Sequence, residues 1–225
     1  MGTQARNLAQ LLNTDSTVAT TDVADDSITA AKLANDIAIS TTGSITVGGD
    51  IIKSTSGTSN FAAGVNAGNS ITSGGNNNVV VGDEAGTAIT TGDGNVAVGF
   101  EALKTEDAHG NNTAVGYRAL KDLNAGATGN NTGLGYNSGA NITTGVSNTL
   151  MGAGSGDSLT DADFNVAIGQ NALTTDTQGN RSTAIGRGAL STQNFTSSTD
   201  SFNTAVGFAA GEAITTAQYS TIIGA

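Results

Sequence analysis

From residue 60 onward the hydrophobic and polar positions recur in one phrase: Asn, a β-branched residue, a small one, an aliphatic one, Gly, two variable residues, Ala or Ser, then Leu or Gly. Its clearest copy is Asn112-Thr113-Ala114-Val115-Gly116-Tyr117-Arg118-Ala119-Leu120. The structural repeat glycines are Gly64, Gly82, Gly99, Gly116, Gly135, Gly152, Gly169, Gly186, Gly207 and Gly224, spaced by 18, 17, 17, 19, 17, 17, 17, 21 and 17 residues. Self-similarity at a fixed period marks a stacked-repeat architecture, in which each unit is too thin to bury its own apolar face and relies on its neighbours. The longest intervals hold extra residues at Ala125-Gly-Ala-Thr-Gly129 and Phe195-Thr-Ser-Ser-Thr199, which read as loop insertions.

Seventeen residues at ~3.3 Å each give a contour of roughly 56 Å, enough for two short strands and two turns per coil. Corners are expected at Gly110-Asn111-Asn112, Gly129-Asn130-Asn131 and Gly179-Asn180, and near the glycine that follows the aliphatic residue. Asn and Gly both tolerate positive φ there. Coils ~4.8 Å apart would make ten repeats a rod of roughly 48 Å. Repeats ending in Gly carry a second phrase, as in Ile89-Thr-Thr-Gly92 and Ile142-Thr-Thr-Gly145; those ending in Leu103, Leu120, Leu173 or Leu190 lack that Ile. Leu and Ile are therefore expected to fill the same interior space from alternative positions.

Alternation with period 2 sets Thr113 and Val115 on one face and Ala114 and Gly116 on the other. The first face stays β-branched or aliphatic along the series; the second stays small. A row of small residues lets backbones come close, so Ala97, Ala114, Ala167, Ala184 and Ala205 are expected to line a face on which chains associate, as a homotrimer with a narrow centre.

Composition narrows the possibilities. Among 225 residues, aromatics are 4% and charged residues 12%, with 32 Gly and no Pro, Cys or Trp. Large side chains supply most of the area that offsets chain entropy, so this chain cannot fill a thick core. The 37% hydrophobic content, regularly spaced, exceeds that of disordered low-complexity chains. A net charge of −11 argues against nucleic acid and anionic membrane as partners. No window approaches the ~20 apolar residues of a membrane span, so no membrane insertion is expected. The start of the chain lacks the basic region and apolar run of a signal peptide, so export by the usual route is not expected.

The first residues differ in composition. Leu8, Leu11 and Leu12 share a helical face, and Ala30, Leu33 and Ile37 repeat at helical spacing within Ser27–Ala38, with Asp26 or Ser27 as cap. Residues 1–38 are read as a short helical N-terminal stalk or attachment segment, 39–59 as a β-transition segment and 60–225 as the repeat shaft. The chain stops at Ser220-Thr-Ile-Ile-Gly-Ala225, inside a repeat, so a C-terminal tip or another cover for the open strand edge is expected.

Candidate chemistry is sparse. His109 stands alone at a predicted corner, without the partners that metal or triad chemistry requires. The acidic pairs Asp83-Glu84, Glu106-Asp107 and Asp161/Asp163 fall in the variable part of the repeat and read as solvated corners rather than a glycosidase pair. Asp157, Asp161 and Asp163 are the best calcium candidates, but lack the glycine and terminal Glu of an EF-hand loop. Gly152-Ala-Gly154-Ser-Gly156 is one copy of the structural phrase and no phosphate loop. Sequons at Asn111, Asn130, Asn141, Asn180 and Asn194 arise mostly from the repeat. Phe100, Tyr117, Tyr136 and Phe208 each follow a repeat glycine, either packing against neighbouring subunits or forming an exposed sugar-stacking ladder. No catalytic residue, cofactor or metal is expected, and no receptor-binding residue is identified.

The Asn-Thr-Ala-Val-Gly-Tyr-x-Ala-Leu phrase resembles the repeats of YadA-type trimeric autotransporter adhesin heads, and more closely those of bacteriophage tail fibres. The resemblance covers about Asn60 to Ala225, with a longer pitch than the adhesin heads. The Asp-Ser-Ile-Thr-Ala-Ala-Lys-Leu-Ala stretch (Asp26–Ala34) resembles N-terminal segments of phage fibres. The resemblance implies an all-β, left-handed parallel β-roll in a homotrimer. It also implies a structural virion protein, a tail fibre or spike mounted by its N-terminus and touching a host-surface glycan or protein. An extracellular bacterial trimeric adhesin or surface filament is the alternative. An ice-binding solenoid is a remote one, since it requires the Thr113, Thr132, Thr149, Thr183, Thr204 and Thr221 row to be exposed, whereas Val79, Val96 and Val166 in the same register argue for burial.

Overall fold

The computed structural model describes residues 55–126 and 128–224. The expected helical stalk (1–38) and most of the β-transition segment (39–59) lie outside the described residues. Within them the chain is all-β: β1 (Phe61–Ala63), β2 (Val79–Val81), β3 (Val96–Val98), β4 (Thr113–Val115), β5 (Thr132–Leu134), β6 (Thr149–Met151), β7 (Val166–Ile168), β8 (Gly179–Asn180), β9 (Thr183–Ile185), β10 (Thr199–Asp200), β11 (Thr204–Val206) and β12 (Thr221–Ile223). Ten of these stack into one parallel sheet in chain order, with β8 and β10 alone forming a second, two-stranded one. Register is strict: Val96 pairs with Thr113, Ala97 with Ala114 and Val98 with Val115, and likewise along the stack. The chain is a parallel β-solenoid of about ten turns.

Each coil contributes one three-residue strand to the main sheet, not the expected two strands. The other sides are runs of turns, joined coil to coil by single backbone bonds such as Gly86 N–H to Ala102 C=O (2.9 Å) and Leu103 N–H to Ala119 C=O (3.0 Å). Left-handed residues replace the second strand: in the fourth coil, Asn111, Arg118 and Leu120 have φ of 61°, 56° and 49°. The repeat glycine ends each strand. At Gly82, φ is 124°, and an added Cβ would lie 2.7 Å from the carbonyl oxygen of Gly99 in the next coil. No L side chain fits there, which explains the one residue that recurs without exception.

The middle residue of each strand points inward. Val80, Ala97, Ala114, Leu150, Ala167, Ala184 and Ala205 are fully buried within the single chain. Large side chains reach the interior from two alternative corners, as expected. In one set Leu103, Leu120, Leu173 and Leu190 sit in left-handed corners with no exposure. In the other, that corner is Gly and the space is taken three residues later, by Ile89, Ile142 or Leu159. A Cβ on Gly86 would meet Ile89 Cδ1 at 2.8 Å, and one on Gly156 would meet Leu159 Cδ1 at 2.9 Å. Where the corner is Gly the later side chain takes its space, and in the Leu120 coil both positions are filled, by Leu120 and Leu123, each fully buried.

The asparagine that opens the phrase is a second inward row. Asn78 Nδ2 donates to Gly92 C=O (2.8 Å), and its Oδ1 accepts the backbone N–H of Asn95 (2.8 Å). The ladder continues through Asn112, Asn131, Asn148 and Asn165. Buried amides bonded through both ends satisfy the corner carbonyls that strands would otherwise pair. Ser182 interrupts the ladder, and Gln193 fills in: its Nε2 donates to Ser182 Oγ (2.8 Å) and its Oε1 accepts from Asn203 Nδ2 (2.8 Å).

Candidate interaction surface

Because the middle strand residue faces in, its two neighbours face out. Ala97, Ala114, Ala167, Ala184 and Ala205, expected on an exposed association face, are therefore interior residues, sealed by their own coils. The reason is volume: the coils with Leu103, Leu120, Leu173 and Leu190 at the corner have Ala97, Ala114, Ala167 and Ala184 in mid-strand, whereas the larger Val80 and Leu150 occur where that corner is Gly86 or Gly156. Gly133 illustrates the limit, since a Cβ there would lie 2.8 Å from Leu120 Cγ.

The outward face of the main sheet carries Thr or Val at the first strand position and Val, Leu, Met or Ile at the third in β2 to β12, leaving out the two-residue strands. None of these is charged, in a chain of net charge −11. Val79, Leu134, Met151 and Val206 are 36 to 41% exposed and Ile223 is 79% exposed. An apolar sheet face of this length is unusual for a solenoid standing alone in water, where exposed apolar patches are normally small.

Aromatic ladders stand at both borders of that face. After the repeat glycine, Phe100, Tyr117 and Tyr136 stack in successive coils with centroids 5.3 Å apart at each step, and all three are exposed. Arg118 lies 5.1 Å over the Tyr117 ring and pairs with Glu101 at 2.7 Å. Glu101 also holds Lys104 at 2.8 Å. The Lys104 hydrogen bond, aided by Arg118, keeps the Glu101 carboxyl below the usual carboxylate range, and Lys104 and Arg118 are raised in return. Phe208 extends the same column, with Arg187 5.4 Å over its ring.

The opposite border is the left-handed corner just before the buried Asn. Ser59, Asn77, Asn111, Asn130 and Ser147 occupy it in the earlier coils, whereas the later ones place Phe164, Arg181, Phe202 and Tyr219 there, with φ of 58°, 60°, 51° and 56°. Arg181 lies 4.8 Å over Phe164 and 5.9 Å over Phe202, and Phe202 stacks on Tyr219 at 5.4 Å. The left-handed conformation costs about 1–2 kcal/mol for a residue with a Cβ, while a ring pair returns about 0.5–1.5 kcal/mol. An exposed cation–ring contact returns about 0.5–1 kcal/mol. The stacking roughly offsets the strain, and the surplus is an exposed aromatic ridge.

Glu106, Asp107 and His109 have ligand atoms within 4.8 Å of one another, the one such group of three among the described residues. The geometry makes it a clamp for the neighbouring loop. Glu106 is fully buried; its Oε1 accepts the His109 N–H (3.0 Å) and lies 2.9 Å from His109 Nδ1, and its Oε2 accepts Ala125 N–H (3.2 Å), at the first insertion. Asp176 holds the same place in a later coil. It is fully buried and accepts Gly179 N–H (3.1 Å), Gln193 Nε2 (2.6 Å) and Phe195 N–H (2.9 Å), at the second insertion. Glu106, read from the sequence as a solvated corner, is instead buried because it caps the N–H groups of the next loop, and Asp176 is not marked by the sequence pattern at all.

The carboxylates of Asp157, Asp161 and Asp163 do not converge into such a group. Asp163 Oδ1 accepts Val146 N–H at 2.8 Å, and Asp161 is exposed beside Thr160. Asp157 Oδ1 is buried without a hydrogen-bond partner, and burial pushes its carboxyl upward. Among the described residues no helix is long and apolar enough to cross a membrane. No family model, curated protein or solved structure matches the chain.

Proposed function

We propose that the chain is the shaft of a homotrimeric fibre or spike that holds a particle to a host surface, a structural and attachment role rather than a catalytic one. In this reading the fibre is a virion component, a phage tail fibre mounted by its N-terminal segment. A bacterial extracellular trimeric adhesin uses the same architecture and is the alternative. The observation that supports assembly is the outward face of the ten-stranded sheet, which from β2 onward is Thr or Val at its first position and aliphatic at its third, with no charge. Covering it with further copies removes apolar surface from water at about 25 cal/mol per Å², and brings together a side on which chains of charge −11 carry no like charge. The interface belongs to the Thr/Val side of the strand, not to the small residues inside.

The test is the native mass by light scattering coupled to size exclusion, with and without a chelator. Three times the 22.1 kDa chain mass, unaffected by chelation, is expected. A monomer overturns the reading.

A second reading gains from the same observation. The threonine row of Thr113, Thr132, Thr149, Thr183, Thr204 and Thr221 faces outward, half-buried to exposed, so the burial argument against an ice-binding plane does not hold. What opposes it is the neighbouring column, where Leu134 and Met151 protrude among Val and Ile and break the flat regular spacing that ordered water needs. Thermal hysteresis in purified protein would favour the ice-binding reading.

A further inference from the structure

We infer that the corner ladder Phe164, Arg181, Phe202 and Tyr219 is a recognition strip for a neutral glycan chain lying along the solenoid axis; this rests on the surface-attachment reading above. The same corner in earlier coils is filled by Ser, Asn or Gly, residues suited to left-handed backbone. From Phe164 onward the corner is bulky in every coil, although Asn would serve the fold as well or better. Its side chains are not hidden: Phe164, Phe202 and Tyr219 are 47, 45 and 74% exposed. Stacking roughly offsets the strain of these corners but leaves the rings open to solvent in consecutive coils, so the fold by itself has no reason to prefer them over Asn.

The chemistry of the strip favours a glycan. It is one residue wide, and its four rungs span about 15 Å at ~4.8 Å per coil, much less than the roughly 800 Å² per partner of a stable protein interface. Its rungs recur at 4.8 to 5.9 Å, close to the advance of one sugar residue in an extended chain. Aromatic carbon offers apolar contact to sugar C–H groups. A polar pair flanks it, Arg181 and Asp200 at 3.1 Å. Arg181 is thus already matched by a carboxylate, and the chain as a whole is at −11, so an acidic glycan is repelled and an uncharged one is not.

The experiment uses the full chain and a variant carrying Phe202→Asn and Tyr219→Asn, which restores the residue found at Asn77, Asn111 and Asn130. Binding is measured to cellohexaose, chitohexaose, maltohexaose and yeast mannan, with alginate as the acidic comparison, alongside melting temperature and native mass. The expected result is binding of the unaltered chain to at least one neutral probe, weakened at least tenfold in the variant, with melting temperature equal or higher and native mass unchanged. A lower melting temperature would make the ladder a staple of the fold. A changed mass would make it a seam between copies, and either result overturns the proposal, as does failure to bind any neutral probe or preference for alginate. A monomeric mass for the unaltered chain overturns the fibre reading instead, and the binding comparison separates the two failures.

Discussion

Single residues in this solenoid are constrained most where one coil touches the next. Gly82 has both a glycine-only backbone (φ 124°) and a neighbouring carbonyl 2.7 Å from any added Cβ. Gly188 has φ of 69° with nothing within 4 Å. Gly82→Ala is therefore expected to cost more than about 3 kcal/mol, as overpacking and backbone strain combine, while Gly188→Ala should cost only about 1 kcal/mol. Chemical denaturation of the two variants reads the difference. Asp157 is constrained electrostatically. Burial raises its carboxyl above the ordinary value of 3.8, so the folded state binds its proton more tightly than the unfolded chain does. Stability from this group is present below that value and declines as pH rises through the raised one. Asp157→Asn should melt higher than the unaltered chain at pH 7, by about 1 kcal/mol or less, and show no advantage near pH 3. Glu101 acts in the opposite sense: held low by Lys104 and Arg118, it stabilises the fold above the ordinary carboxylate range and loses that contribution on acidification.

At the scale of the coil, the unit is a strand, three left-handed corners and a choice of interior filler. Coils of the Leu type free the later corner, and in Leu103 and Leu173 coils that place holds Glu106 and Asp176, the acids that fasten the following insertion. Asp176→Ala would leave two buried backbone N–H groups without their acceptor, at about 1–3 kcal/mol each, and Gln193 Nε2 with Ser182 Oγ alone. We expect loss of at least about 2 kcal/mol and, by proteolysis, selective opening near Phe195. Asn131→Ala should be comparably damaging, since it orphans Gly145 C=O and Asn148 N–H, each bonded at 2.9 Å. The period, the corners and the Leu/Ile exchange were legible in the sequence because glycine and large aliphatics have few alternative uses. The asparagine row was misplaced at the corner because Asn suits both a turn and a buried ladder, and only the register between coils decides. A second strand formed only as the short β8–β10 pair, because contour length does not distinguish a strand from three consecutive left-handed corners.

On the scale of the molecule, inside and outside turn on a single alternation, and the sequence alone gives no origin for it. Ala or Gly at the middle position fits a surface where backbones approach as readily as a crowded interior. The corner Leu supplied from the far side of the coil settles the matter at Ala97, Ala114, Ala167 and Ala184 by needing the space. The aromatic ladder after the repeat glycine was visible as spacing, whereas the corner ladder was hidden, since Phe164, Arg181, Phe202 and Tyr219 share no residue type and only their common left-handed backbone aligns them. The assignment of faces leads to opposite outcomes for two adjacent substitutions in β7. Ala167 is fully buried, so Ala167→Glu buries an unpaired charge and should prevent folding altogether. Ile168 faces out and is only partly covered, so Ile168→Glu should leave the coil folded, with circular dichroism and melting within about 1 kcal/mol of the unaltered chain. In an assembly, however, the same glutamate sits in the middle of an apolar interface beside its own copies. Light scattering should then show the mass falling to that of a single 22.1 kDa chain. An unchanged oligomer would place the contact between chains away from the main sheet. A loss of folding at Ile168 equal to that at Ala167 would mean that the sheet face is covered even within one chain.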